Sequence, residues 1–325
     1  VKAIAVSPSR LPRGALHEPR RELKLRVSCC IISSVFDLAL NAKFQAHRDH
    51  SNAVVQGGPV MASLHGKPIG AVDDSSAYGN IQKISAADLV DALAKGFDDF
   101  KAKPSHLVIL AILYPLAMVV AANIAAGYIP LPLVFPLLSG FALIGPLAAI
   151  GLYEISRRRE QGLDISWEHA FNVMRSPSMS ILTLSVLLGV LYFVWLGAAF
   201  AIYRQIYGNT VPSSITEFLA EVLTTPAGWT LIIAGCGVGF LFALAALAIS
   251  AVSFPMLLDR HVSMAMAMQT SVHAFLANPM TMMLWGFIVA GLLLIGAVPL
   301  FAGLAVVMPV LGHATWHLYR KVVRH

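Results

Sequence analysis

Four long stretches of this 325-residue chain contain no Asp, Glu, Lys or Arg: His106–Tyr153, Ser176–Tyr203, Val222–Leu258 and His261–Tyr319. Each exceeds the roughly 20 residues that a helix needs to cross a bilayer. A soluble domain draws about 25% of its residues from the charged set; here the share is 12%, against 57% hydrophobic. So few charges cannot cover the surface of a soluble protein of this size. A segment immersed in lipid must satisfy its own backbone hydrogen bonds, which a helix does internally. The chain therefore reads as an all-α, polytopic membrane protein.

A net charge of +6 and a pI near 9.3 invite a nucleic-acid or anionic-surface reading. The distribution argues otherwise. Residues 1–60 hold nine Lys/Arg and four Asp/Glu, whereas residues 61–325 hold fourteen and thirteen. The basic excess belongs to the first sixty residues, and no nucleic-acid partner is expected. Those residues show no sustained apolar period. Met61 opens Met-Ala-Ser-Leu-His-Gly-Lys, and Gly57-Gly58, encoded GGN-GGN, stand where a bacterial ribosome-binding site would precede it. Residues 1–60 are read as leader translated from a misassigned start, or as disordered chain. Residues 61–84 are read as a flexible cytoplasmic tail. Val27–Phe36 is apolar, but a long segment precedes it and Asp37 follows at once, unlike a signal peptide. Cys29 and Cys30 fall there; Cys236 lies in an apolar run and reads as an inert thiol.

Residues 85–325 are the membrane domain in this reading. Ser85-Ala-Ala-Asp88 has the form of a helix N-cap with an acidic partner three residues on. Leu89, Val90, Leu93, Phe97 and Phe100 then share one helical face, with Asp88, Asp91, Lys95 and Asp98 elsewhere. Six spans are expected, at about 107–127, 131–153, 178–203, 228–251, 281–297 and 300–318. An internal repeat underlies them. An amphipathic stretch precedes each of Pro104, Pro177 and Pro279, with Phe100, Val173 and Phe275 four residues earlier. Basic ends close the units at Arg157-Arg158-Arg159, Arg260 and Arg320-Lys321. The expected architecture is six transmembrane helices in three helical hairpins, each introduced by a short amphipathic interfacial helix. An insertion in the middle unit carries one more amphipathic candidate, Ile215–Leu223.

Orientation follows from the positive-inside rule. Lys95, Lys101, Lys103, Arg157, Arg158, Arg159, Arg175, Arg260, Arg320, Lys321 and Arg324 all flank one side of the expected spans; the opposite loops offer only Arg204. Both termini are expected in the cytoplasm, with the protein in the bacterial inner membrane.

Ionisable groups within a span are the first place to look for function, and the expected spans contain no Asp, Glu, Lys or Arg. Histidine remains. His313 and His317 lie four residues apart, so they share a helical face and are candidate ligands for a metal or haem. The competing reading makes them part of an aromatic-basic belt at a helix end, with Trp316, Tyr319 and Arg320 as interfacial anchors. His169 and His273 recur as His-Ala-Phe in two amphipathic stretches and read as solvated or headgroup contacts. Gly235 and Gly239 form G-x-x-x-G, and Gly140 and Gly145 offer a comparable small face; both read as helix packing. Pro115, Pro136, Pro146, Pro255 and Pro309 either kink their helices or open backbone to a cavity. Asp73-Asp74 and Asp98-Asp99 read as solvated pairs. No catalytic constellation is present, and no cofactor is expected beyond the haem or metal that the two histidines could take.

Four segments carry a family resemblance: FALIGPLAAIGLYEISRR (Phe141–Arg158), FLAEVLTTP (Phe218–Pro226), SFPMLLDR (Ser253–Arg260) and PVLGHATWHLYR (Pro309–Arg320). They resemble a bacterial integral-membrane family of unknown function, over about residues 85–323. Its members often bear the automatic label cytochrome c oxidase subunit I. Catalytic oxidase subunits resemble one another in having about twelve spans and several mid-membrane histidines that hold haem and copper. This chain has half as many expected spans, and its histidines lie at or beyond their ends, so an oxidase activity is not implied.

Three functional classes follow. The first is a non-enzymatic accessory or scaffold protein whose partners are the bilayer and a membrane protein or a second copy. The second is a small-solute or lipid transporter or pore lined by proline-kinked helices. The third is a haem or metal redox subunit of a respiratory oxidase, built on His313 and His317.

Overall fold

The computed structural model describes residues 80–324 except 126, 128, 129, 176, 211 and 213. The expected leader, 1–60, and the tail as far as residue 79 lie outside the described residues. The order is β1 (Asn80–Ile81), α1 (Ala86–Ala102), α2 (His106–Ala125), a 3-10 turn (Leu131–Leu133), α3 (Val134–Ala148) and α4 (Ile150–Glu160). There follow α5 (Trp167–Arg175), α6 (Met179–Tyr207), α7 (Ile215–Thr224), α8 (Pro226–Ser250) and α9 (Ser253–Asp259). The chain ends with α10 (Met264–Ala277), α11 (Pro279–Ala297), α12 (Leu304–Val322) and β2 (Val323–Arg324).

Local chemistry sets the boundaries. Asp88 Oδ2 accepts from the backbone N–H of Ser85 (2.9 Å) and its hydroxyl (2.8 Å), starting α1 as the sequence predicts. Pro226 and Pro279 occupy the first turns of α8 and α11, where the missing N–H costs nothing. Thr225 caps α8, accepting from Gly228 N at 3.0 Å. Gly208, at φ 67°, ends α6 in the left-handed region that favours glycine.

Three helical segments are long and apolar enough to cross a membrane: α6, α8 with α9 (Pro226–Asp259), and α11. Of the six expected spans these correspond to the third, fourth and fifth. The first becomes α2, which turns 93° from α1. The second breaks at Ala149, so α3 has 15 residues, about 22 Å at 1.5 Å per residue, against a hydrocarbon core of about 30 Å. The sixth becomes α12, whose C-terminal half is buried in protein. The expected first hairpin does not close on itself: α3 packs chiefly on α6 and α8, and α2 on α12.

Burial is most complete in the short helices, although Leu188, Trp195, Phe242 and Trp285 of the long ones belong to the same core. α6, α8 and α11 present large apolar side chains outward, Phe193, Ile233 and Leu294 among them. By contrast, α4 buries every residue from Ile150 to Ser156, α9 buries Ser253–Leu257, and α12 buries Leu311–Ala314, Trp316, Leu318, Tyr319 and Val322. α12 packs more extensively against α1 than any other pair of helices packs. Lipid can cover the outward faces of the long helices, whereas the short ones bury each other.

Residues 80–84, read from sequence as the end of a tail, are tied down. Asn80 pairs antiparallel with Arg324 and Ile81 with Val323. Buried Asn278 then accepts from Ile84 N (2.9 Å) and donates to the Gln82 carbonyl (3.0 Å). Asn278→Ala should leave the Ile84 N–H buried without an acceptor, costing about 1–3 kcal/mol. Hydrogen exchange at Ile84 should accelerate by at least tenfold; an unchanged rate would show that Asn278 does not hold the segment.

Candidate functional site

The polar centre forms where α1, α4 and α12 meet. On α1 the inward file is Leu89, Ala92, Gly96 and Asp99, at helical spacings of three and four. Gly96 permits the close approach: a Cβ there would lie 2.6 Å from the backbone nitrogen of Ala314 and 2.7 Å from the Val310 carbonyl. Gly312 plays a similar part against α4, where an added Cβ would meet Leu152 Cδ1 at 2.6 Å. Two backbones brought this near carry whatever polar groups share their faces into the interior.

Those groups are Asp99, Ser156, His313 and His317. Asp99 is 3% exposed, and Ser156 and His313 are 0% exposed. The Ser156 hydroxyl lies 2.6 Å from Asp99 Oδ2 and 2.8 Å from His313 Nδ1. His317 Nε2 reaches the same Asp99 oxygen at 2.8 Å, and the Arg159 guanidinium pairs with Asp99 Oδ1. The result is a hydrogen-bonded chain, His317–Asp99–Ser156–His313, with a cation at its outer edge. Burial alone would raise the Asp99 pKa, but hydrogen bonds from His317, Ser156 and Arg159 outweigh it and hold the carboxyl below its ordinary value.

Proton counting fixes the direction of the chain. An ionised Asp99 only accepts, so the single Ser156 proton points to it. His313 Nδ1 must then donate to Ser156 Oγ, which leaves Nε2 as an unprotonated lone pair. That atom is buried and makes no hydrogen bond of ordinary geometry among the described residues. The Ser156 hydroxyl, although bonded to a carboxylate, has no access to solvent and so none to a dissolved substrate.

A second set of bonds surrounds the first. Glu160 accepts from Trp316 Nε1 (3.0 Å) and Arg320 Nε (3.0 Å). Asp259 accepts from the Tyr319 hydroxyl at 2.8 Å. Arg157 pairs with Glu154 at 2.8 Å and donates to the Leu258 carbonyl at 3.1 Å, tying α4 to α9. Lys321 meets Asp88 at 2.9 Å and Asp91 at 3.0 Å.

The sequence-derived candidates fall as follows. His313 and His317 do share a face, and that face meets Asp99 and Ser156. Among the described residues no group of three or more His, Cys, Asp or Glu is placed to hold a metal ion. Trp316 and Tyr319, read as interfacial anchors, are buried and bonded to carboxylates, and Arg320 bridges Glu160 and Asp259. Gly140 lies under the Tyr192 ring and Gly239 under Trp195, whose indole donates to the Pro136 carbonyl at 3.0 Å. Gly145 and Gly235 have nothing within 4 Å of where a Cβ would stand. Asp98-Asp99 is not a solvated pair: Asp98 is exposed and bonds Lys101 at 2.8 Å, while Asp99 is buried. Asp99, Ser156, Arg159 and Glu160 went unread as site residues. The signal available for Asp99 was its place in the file with Ala92 and Gly96.

Residues 134–259 match a family described as a predicted integral membrane protein (DUF2189). The match runs from the start of α3 to the end of α9, and so includes Ser156, Arg159, Glu160 and Asp259 but not Asp99, His313 or His317. No curated protein and no solved structure matches the chain. Three long apolar helical segments, and likeness over residues 134–259 to a family of predicted integral membrane proteins, make this an integral membrane protein.

Proposed function

We propose that the protein is a non-enzymatic accessory or scaffold protein of the bacterial inner membrane, with six spans and both termini in the cytoplasm. In this reading α2, α3, α6, α8, α11 and the first half of α12 meet lipid. The short helices form a rigid platform on the cytoplasmic side that holds a membrane-protein partner or a second copy. One observation carries the proposal: the chemically capable groups Asp99, Ser156 and His313 are closed to solvent and spend their hydrogen bonds on locking three helices together. A group in that position stabilises a surface; it does not turn over a substrate. The convergence of the basic segments of α1, α4 and α12 in one packed layer supports a common cytoplasmic side.

The test is spectroscopic and cheap. Purified full-length protein should show no Soret absorbance and well under one equivalent of metal, and in-cell photocrosslinking from the exposed Leu163 position, just after α4, should give a discrete protein adduct. A second reading rests on the unpartnered His313 Nε2, which has the lone pair a haem or metal requires. Soret absorbance abolished by His313→Ala would establish that reading and remove the first. Solute flux in liposomes altered by Pro309→Ala would do the same for a transporter.

A further inference from the structure

The basic charge left over from the polar junction gathers around one cavity. It has a volume of roughly 290 Å3 and lies between the strand-to-helix segment Gln82–Ile84 and the C-terminal end of the chain, with Lys83, Arg320, Lys321 and Arg324 in its wall. Asp88 is the one carboxylate lining it. Arg320 and Lys321 are partly neutralised by Glu160, Asp259, Asp88 and Asp91. Lys83 and Arg324 are not: both are exposed, Lys83 donates to the Ala277 carbonyl, and Arg324 has no carboxylate partner among the described residues. Four cationic side chains therefore face a space with a single anionic one.

The height of this cavity identifies its occupant. α11, long and apolar enough to cross a bilayer, begins at Pro279. Lys83 is bonded to Ala277, two residues before that start, and Thr281, two residues after it, donates to the Ile84 carbonyl at 3.1 Å. Met280 beside it is 75% exposed. The cavity wall is thus pinned to the point where α11 would leave the headgroup layer and enter hydrocarbon. Next to it α1 lies at 93° to α2, along the membrane surface if α2 crosses it, and exposes Val90 (65%) and Phe97 (47%). Lys101 stands over the Phe97 ring at 5.0 Å. An apolar stripe edged by lysine is how a helix seats itself in an interface. A soluble anion would need none of this.

We infer that the cavity bounded by Lys83, Arg320, Lys321 and Arg324 binds the phosphate headgroup of an anionic phospholipid. Arg320 and Lys321, oriented by their carboxylates, shape the site, and Lys83 and Arg324 supply the uncompensated charge. The inference goes beyond the scaffold reading and depends only on α11 entering the bilayer at Pro279. In a symmetric bilayer it is independent of which end faces the cytoplasm, and of any protein partner.

The test uses the full chain in nanodiscs of phosphatidylcholine with and without phosphatidylglycerol. Native mass spectrometry of the released protein counts retained lipids. The wild type should retain phosphatidylglycerol in preference to phosphatidylcholine. Lys83→Gln and Arg324→Gln should each reduce that preference about fivefold, and together multiplicatively, whereas Lys83→Arg should keep it. Arg175→Gln, which removes the same charge away from the cavity, should change nothing. An equal loss in Arg175→Gln, or no loss in the double variant, overturns the site. Inorganic phosphate is the remaining arm. If millimolar phosphate displaces the retained lipid completely in wild type, the cavity is a soluble-anion site and the lipid assignment fails.

Discussion

Gly96→Ala is expected to lower the stability of the protein while making its helix intrinsically better. In an isolated α1 peptide, alanine should raise helicity, since it is favoured over glycine by about 0.8–1.0 kcal/mol in a helix interior. In the protein the new methyl would stand 2.6 Å from the Ala314 nitrogen, 2.7 Å from the Val310 carbonyl and 2.8 Å from the Ala314 Cβ. Two of those neighbours are backbone and cannot step aside by changing rotamer. Overpacking against movable side chains costs about 1–3 kcal/mol, and here the only relief is to separate α1 from α12. That separation would draw Asp99 out of reach of His317. The expected results are opposite in sign: more helix by circular dichroism in the peptide, and a lower thermal midpoint in detergent for the full chain. A midpoint that rises with the peptide's helicity would mean that the two helices do not approach as described.

Asp99→Ala should be comparably damaging for a different reason. It removes the acceptor for Ser156, His317 and Arg159 at once, and breaking one side of a buried charged set costs about 3–5 kcal/mol. Arg159 is 40% exposed at its side chain, so water recovers part of its loss; His317, 15% exposed, recovers less, and Ser156 none. Asp99→Asn keeps the shape and separates charge from volume. Because the folded carboxyl titrates below its ordinary value, its contribution is fully present above the unfolded pKa near 3.9 and disappears as pH falls through the folded value. Asp88 acts in the same window: the Ser85 backbone N–H, then Lys321, hold its pKa at about 2. Acid denaturation curves should therefore be steeper below pH 4 in wild type than in Asp99→Asn. Curves that run parallel throughout would remove Asp99 from the list of groups that make folding pH-dependent.

How much of this was legible can be judged on α1. The cap at Ser85 and Asp88 was plain, because capping is local chemistry. The buried face was not. Large side chains pointed to a stripe of Leu89, Val90, Leu93, Phe97 and Phe100, and the structure instead turns Leu89, Ala92, Gly96 and Asp99 inward. A helix at a membrane surface has two apolar environments to satisfy, protein on one side and lipid on the other, and hydrophobicity does not tell them apart. Side-chain size helps more: Ala92 and Gly96 face the helix that comes close, while Val90 and Phe97 are exposed. The same confusion affected the last expected span, where an uncharged run continued through His313, Trp316 and Tyr319. Absence of charge was taken as contact with lipid, whereas those residues are uncharged because they are buried against α1 and α4. Arg157 and Arg159, read only as the basic end of a unit, turn out to pair with the buried carboxylates of Glu154 and Asp99, partners that spacing does not reveal. The long apolar helices α6, α8 and α11 posed no such ambiguity.

The pairing of Asp99 with His317 crosses 218 residues, and that separation has a meaning during synthesis. At about 5–20 residues per second, roughly 10–40 s pass between translation of the two. For that interval Asp99 can meet Ser156 and Arg159 of α4, but its bond to His317 and the glycine groove of α1 remain open. Only a chain completed through α12 can close them. A chain that stops short of α12 has every long apolar helix in place and the junction still open. The arrangement makes closure of the junction wait for α12, long after the helices it joins have been made.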